Sequence, residues 1–550
     1  MAVLRDTITE ISKRLFGELE VAGEDGGFNV VKKVIDDTAE SRDEVQKLRD
    51  FYNGDQIRGT GLLKGRNYIS LWPGEEDADL EVRANRMEQL SWNRVRDGVN
   101  THADALYAWG KGRAISRELV WEDTEVEDES SRDFWNEYYR KRFLEQNNFP
   151  RLAWEIWNKA GAERNSLAML RWMDGTSRRL KRFGGDSLDR SFHKENGVVW
   201  IETLDALTYI ALPHPDQTST LGAVIRWYID PQYPFGNQIS SNMVPVPGSD
   251  NTITELVTDN LWIQFKGRVP TPHQWGFTNR YGDVRTIFVI AENPDKVADS
   301  EDALKAQNQL NEHLYSGSEI KRQHAFPETL YRGYEPPMRE DGNGNKILDR
   351  GPNIAHVAID PSADIIKVGS PTGLQDMGLA EGSIHQMMDD SLGISQFDRG
   401  ETEGMGQMRS APAIARLQAR SERRRRRKIM YAHEWEQNTF RSFVDMTLFH
   451  AFPVDERPDY RDLKIRVTWP DDAFMLDPAT EAMKDALEVQ TGLDTREAKL
   501  RKRHPDASEE QVEEMLLDIT ETIDSQETSS QDEVNPDTTP TEQSNVQGSM

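Results

Sequence analysis

The stretch Ser421 to Lys428 reads SERRRRRK, five consecutive arginines followed by a lysine. At 3.6 residues per helical turn the run passes more than once around the axis, so every face of that turn carries positive charge. Two chemistries suit such a segment. Contact with phosphates is one, and there Arg416 and Arg420 extend a positive stripe at i, i+4, i+7 and i+8 with Arg423 and Arg424. Ion pairing with acidic surface, in the same chain or in a neighbouring copy, is the other, because a guanidinium matches a carboxylate bidentately. The chain carries 95 Asp and Glu against 67 Lys and Arg, a formal net charge of -28. Carboxylate partners are therefore abundant, and ion pairing is the favoured reading.

Signatures of catalysis are missing. No phosphate-cradling G-x-x-x-x-G-K-[ST] loop occurs, and there is no G-x-S-x-G elbow. His433 to Gln437, HEWEQ, opens like a zinc-protease helix but lacks the second histidine one turn on. The eleven histidines are scattered without ligand spacing, and the absence of cysteine removes disulfides, thiolate ligands and thiol nucleophiles. Asp341, Asn343 and Asn345 alternate like the start of a calcium loop, yet Lys346 and Pro352 stand where that loop needs Gly and Glu, so a hairpin tip is the better reading. The aromatic pairs Trp154 with Trp157 and Trp227 with Tyr228 are not interleaved with cations as a single-strand binder requires, which points to packing. The residues predict no enzyme, no metal and no cofactor.

The elements that would position the arginines follow from periodicity. Helical spacing of Ile8, Ile11, Leu15 and Leu19 is followed by a glycine break and a second helical stretch over Val30 to Tyr52. Asn93 to Gly110 reads as a helix stopped by Gly110 and Gly112. Near residue 167 a helix gives way to an apolar run, and residues 198–212, 223–230 and 260–269 are rich in Val, Ile, Trp and Tyr, so they read as strands. Leu304, Leu310 and Leu314 mark one helical stripe, and Leu374, Met377, Ile384, Met387 and Leu392 mark another. Between them lies a Pro- and Gly-punctuated β stretch. A polar, Gly-rich loop from Gly393 to Ser410 leads into a long helix that carries the arginines to about Phe449. The order predicts a protruding module on two helical legs. A strand over 462–472 and two or three helices follow, with capping-box spacing at Asp494 and Glu497 and at Ser508 and Gln511. Residues 521–550 lack Lys and Arg and are expected to be an acidic disordered tail. No segment approaches ~20 consecutive apolar residues, and the N-terminus has no apolar stretch of signal-sequence length, so a soluble protein without a membrane span is expected.

This arrangement resembles the portal protein of tailed double-stranded DNA viruses, whose hosts are bacteria or archaea. FYNGDQI (51–57) is similar to the family's early Tyr-x-Gly-[Asp] phrase, and NRVRDGVNTHADALYAWGKG (93–112) to the Asn-led helix that follows it. NKAGAERNSLAMLRW (158–172) resembles the helix-to-strand step that opens the family's mixed sheet. The phrase at 392–428, LGISQFDRGETEGMGQMRSAPAIARLQARSERRRRRK, resembles the passage from Gly-[Ile/Val]-Pro through a loop with Ser-Gly-x-Ala into the long helix. It departs at Ser395, where Pro is common, and at Ser410-Ala411-Pro412-Ala413.

The resemblance implies a mainly helical α+β fold of wing, stem, clip and crown, assembled as a ring. The implied segments are an N-terminal helical segment (1–50), a mixed wing (51–300), a first stem helix (301–330), a clip (331–370) and a second stem helix (371–394). A tunnel loop (395–410), a long wing helix and strand (411–476), a helical crown (477–520) and the acidic tail (521–550) follow. Channel-facing residues would be Gln396, Asp398, Arg399, Glu401, Glu403, Met405, Gln407, Met408 and Arg409. Subunit-interface or DNA contacts would come from Arg416, Arg420, Arg423, Arg424, Arg427 and Lys428. Implied partners are other copies of the chain, usually twelve in all, double-stranded DNA in the channel, the terminase large subunit, the major capsid protein, a scaffold and a head-completion or neck adaptor. The implied location is one vertex of the virion, after synthesis in the host cytoplasm. The alternatives are a DNA-binding subunit or enzyme of viral DNA processing that uses the arginine helix, and another capsid or neck structural protein.

Overall fold

The computed structural model describes residues 15, 27–107, 115–121, 129–173, 198–214, 221–230, 245–258, 262–272 and 286–325, six short strand segments between 328 and 368, residues 373–394, 411–452 and 463–469, and scattered positions over 487–517. The chain divides into two compact units, residues 1–107 with 118–466, and residues 108–117 with 467–550. In the second, the helix Arg496–Arg503 begins at Thr495, whose hydroxyl accepts from Ala498 N at 3.1 Å. The cap expected at Asp494 thus falls one residue later, because a threonine in that position serves as well as an aspartate.

The first unit mixes helices and antiparallel sheets. Helix α1 (27–37) and helix α2 (Ala39–Asn53) replace the single helix expected over 30–52. They meet at Thr38, whose hydroxyl donates back to Val34 O and Ile35 O. Strands β4 (Tyr209–Pro213), β5 (Leu221–Ile229), β6 (Thr252–Thr258), β7 (Trp262–Lys266) and β8 (Val269–Pro272) form a five-stranded sheet in sequence order. Alternation sorts its faces. Ile225, Trp227, Leu256, Ile263 and Phe265 turn toward Phe28, Val31, Val34 and Ile35 of α1. Arg226, Tyr228, Glu255 and Gln264 share the other face, where Glu255 accepts from Arg226, Tyr228 and Gln264. Trp227 is therefore core, as its type suggests. Strand β6 was not predicted: its three threonines hide a buried strand behind polar side chains.

Helix α6 (Phe149–Glu163) turns at Arg164 into β2 (Asn165–Met173), the centre of a sheet flanked by β3 (Val198–Thr203) and β9 (Phe288–Glu292). The expected helix-to-strand step is thus present. Aromatic rings fill the space around α6 and the long helix α9 (Ala411–Ala451): Phe143 lies 4.2 Å from Phe149, which stacks on Trp435, and Phe440 and Phe443 pack edge-on to Phe143. Trp157 is buried, while Trp154 donates to Asp104 at 2.9 Å.

Two further helices, α7 (Leu304–Ala325) and α8 (Gly373–Leu392), bracket the short strands. Ala303 meets Leu392, Ala306 and Leu310 meet Met388, and Leu314 joins Ile384, so the two helices run antiparallel along a common seam. Met388 supplies that seam and is fully buried, whereas Met387, assigned to the stripe by spacing, is 45% exposed. Between the helices, Glu328–Arg332 pairs with Asp364–Val368 in antiparallel register, Glu328 opposite Val368, and closes the β stretch at its base. Met338–Glu340 pairs with Lys346–Leu348 across the expected hairpin tip.

Candidate functional site at the head of the long helix

The arginine run lies on α9, whose buried stripe passes through Ser421, Arg425, Lys428, Ala432 and Trp435 at three- and four-residue spacing. The helix therefore keeps one inner face along its length, and where that face crosses the run it carries cations inward. Each must find partners, since a buried charge without them is costly. Arg425 donates to Ala105 O at 2.8 Å, at the end of α4 (Arg94–Leu106), and reaches Glu422 at 3.1 Å. Lys428 pairs with Asp299, both side chains about 95% buried.

Asp299 is held from three sides. Asn293 Nδ2 donates to it at 3.1 Å, its own backbone N donates to Gly161 O at 2.8 Å, and Lys428 closes the pair. A Cβ at Gly161 would lie 2.5 Å from Asp299 Oδ2, so only glycine fits there. Burial pushes the Asp299 carboxyl up, but the Lys428 ammonium and the Asn293 donor outweigh it, and its pKa falls below the ordinary value. His102 is buried too, and its pKa is also lowered, here with burial itself as the chief cause. Desolvation lowers its pKa, Lys428 and Arg424 add to this, and Asp299 opposes them. Its Nε2 lies 2.7 Å from Leu392 O, so the neutral ring carries its proton there and donates it.

That carbonyl belongs to the C-terminus of α8, where the last carbonyls of a helix lack intrahelical donors. Gly393 takes φ +68° and Ile394 N donates to Asp389 O at 3.1 Å, the six-to-one bond of a Schellman cap. Arg424 donates to Leu392 O and to Ser391 O, the latter at 3.1 Å. A cation placed there also faces the negative end of the helix dipole. A Cβ on Gly393 would approach Arg424 Nε to 2.7 Å, so the glycine permits both the left-handed turn and the guanidinium. An open groove of about 440 Å³ beside this junction is lined by Asp302, Ser383, Met387, Asp390, Arg420 and Arg424.

The remaining cations face outward. Arg420 pairs with Asp390 at 2.6 Å, Arg427 with Asp295 at 2.5 Å and Arg426 with Glu422 at 3.0 Å, all with the arginine more than half exposed. Arg423 is exposed and makes no ion pair with a described residue. Arg416 lies on α9. The predicted interface set is therefore divided: Arg424 and Lys428 bind inside the chain, while Arg420, Arg423 and Arg427 stand on its surface. The predicted channel residues, Gln396 to Arg409, lie outside the described residues. Sequence reading missed His102, Asp299 and Arg425. Only Gly393, directly after an apolar stripe, signalled the cap.

Other phrases singled out by sequence build the support. Asn93 caps α4 by accepting from Arg96 N at 3.0 Å, and its side chain donates to Tyr52 O. Asp50, fully buried beside that tyrosine, accepts from Gln46, Tyr68 and both the amide and hydroxyl of Thr60. From the same loop Gln56 accepts from Asn311, which accepts from Gln307, which donates to Trp92 O. This chain of amides ties the FYNGDQI turn and the head of α4 to α7. The arrangement fixes helix ends and leaves a row of exposed cations. No group of three or more Asp, Glu or His among the described residues could hold a metal ion, and no helix there is long and apolar enough to cross a membrane. No protein-family model and no curated protein matches this chain.

Proposed function

We propose that the chain is the subunit of a viral portal, a non-enzymatic ring at one capsid vertex through which double-stranded DNA is packaged and ejected. The observation that carries this reading is the paired helices α7 and α8. They pack antiparallel, flank in the chain a β module closed by the Glu328–Val368 pairing, and are followed in sequence by a 41-residue helix. Two paired helices, a β module between them in the chain and a later long helix support this reading, because stem, clip and wing helix come in that order in the resemblance. In this reading the strands between 328 and 368 form the clip on which the terminase large subunit and then the neck adaptor dock, and the capsid protein and scaffold surround the wing. The crown would come from 477–520. The clamped junction of α8 and α9 would anchor one end of the channel loop, so that its residues keep a fixed radius in the ring.

Negative-stain class averages of the purified full chain, viewed down the particle axis, test the reading. An annular particle with a central hole is expected. Monomers or dimers alone at every salt concentration, together with absence of the chain from purified virions, would overturn it. Duplex binding with a steep salt dependence, lost when Arg423 to Arg427 become Gln, would favour a DNA-processing subunit instead.

A further inference from the structure

The outward face of α9 is an exposed stripe of distinct composition. Arg423, Arg427 and Met430 follow one another at i, i+4 and i+7, with Arg420, Arg426 and Tyr431 beside them. Met430 is 71% exposed and Tyr431 38%. The ion pairs that Arg420, Arg426 and Arg427 make within the chain are exposed ones, which contribute little and exchange readily for other carboxylates. Cations around exposed apolar side chains suit a partner that is acidic and apolar together.

Helix α3 (Asp77–Leu90), with the turn before it, carries that complement. Glu76, Asp77 and Asp79 are exposed and make no ion pair with a described residue, in contrast to their neighbours Glu75 and Glu81, which serve Arg83 and Arg58. Leu71, Trp72 and Val82 stand exposed beside them at 48%, 40% and 52%. The four helices are linked by successive contacts. Met87 of α3 clusters with Tyr315 of α7, α7 shares its seam with α8, and α8 meets α9 through Asp390 and Leu392. The exposed faces of α3 and α9 are thus two different surfaces of one copy.

We infer that the Arg420–Tyr431 face of α9 docks on the Leu71–Val82 face of α3 in a second copy of this chain, a head-to-tail contact. Two different faces of one copy propagate such contacts into a ring where the rotation closes and into an open chain where it does not. Arg423 and Arg426 meet Glu76 and Asp79, which share the Val82 side of the helix at three-residue spacing, while Met430 and Tyr431 cover Trp72 and Val82. The inference rests on the ring reading for closure alone.

Charge exchange between the faces tests it, read by mass photometry of the full-length chain. Arg423→Glu with Arg426→Glu leaves two acidic faces, and Glu76→Lys with Asp79→Lys leaves two basic ones. Each double variant alone is expected to lose roughly tenfold or more of its assembled fraction. An equimolar mixture is expected to recover assembly, because each altered face then meets its opposite in alternating copies. Recovery also shows that both variants fold. Assembly of either variant at the wild-type level, a mixture that stays dispersed, or a wild-type chain that never self-associates overturns the inference. So does loss of duplex binding on the arginine reversal with assembly unchanged. Wild-type assembly into open chains instead of closed rings, with the same exchange pattern, would sustain this contact and defeat the portal reading.

Discussion

Position 102 holds a histidine fully inside the protein, within reach of a carboxylate, an ammonium and a guanidinium: Asp299, Lys428 and Arg424. Its pKa is lowered in the fold, chiefly by burial. Below about pH 6.5 the unfolded chain takes up a proton that the folded chain refuses, so stability falls as pH drops, by up to about 1.4 kcal/mol per pH unit. Asp299 extends the loss. With its pKa also lowered, the stability it contributes is present above about pH 4 and disappears below it. His102→Gln keeps a donor for Leu392 O and removes the titration. Urea unfolding between pH 7.5 and 5 is therefore expected to show a flatter stability profile in His102→Gln than in the natural chain, and parallel profiles would refute the account. The Lys428 and Asp299 pair itself need not stabilise more than apolar residues would, but removing one partner leaves the other charge buried and alone, at a cost of about 3–5 kcal/mol.

Among the elements, α7 and α8 show how narrowly packing reads a helix. Met387 and Met388 are chemically identical neighbours 100° apart on α8, and the seam with α7 takes only the second. Met388→Ala is expected to cost about 2–5 kcal/mol, whereas Met387→Ala should stay within about 0.5 kcal/mol, compared by their denaturation midpoints. Equal costs would mean that the seam lies elsewhere. On α9 the same logic governs charge. A run cationic on all sides must bury some of its cations, and the helix resolves this by giving each inward one a waiting acceptor: Ala105 O for Arg425, Asp299 for Lys428 and the α8 carbonyls for Arg424.

For the molecule as a whole, the net charge of -28 decides how it meets nucleic acid. Much of the arginine run is consumed by the chain itself, and the surplus on the α9 surface belongs to a chain that is strongly negative in sum. Non-specific duplex affinity weaker than about 10⁻⁴ M at physiological salt is expected, measured by fluorescence anisotropy with a labelled duplex. The portal reading proposed above requires that behaviour, because attraction around a bore would hold a duplex in place. Micromolar binding would instead assign the exposed arginines to phosphates.

The sequence by itself determined the order of elements, because periodicity and glycine punctuation act over a few residues at a time. The stripe of α7 and α8, the strands on either side of the hairpin tip, the Asn93 cap and the start of β2 all follow from local rules. Periodicity also sets the inner face of α9, though the run itself hides it by being uniformly charged. What only the tertiary structure decided is where charges end up. Nothing near His102 or Asp299 in sequence announces that Lys428, more than a hundred residues later than either, completes their site. Strand β6 escaped because its threonines read as polar until neighbouring strands cover them. SERRRRRK marks a concentration of charge. The fold divides it into a buried clamp and an exposed face, because burial depends on which side of the helix meets the body.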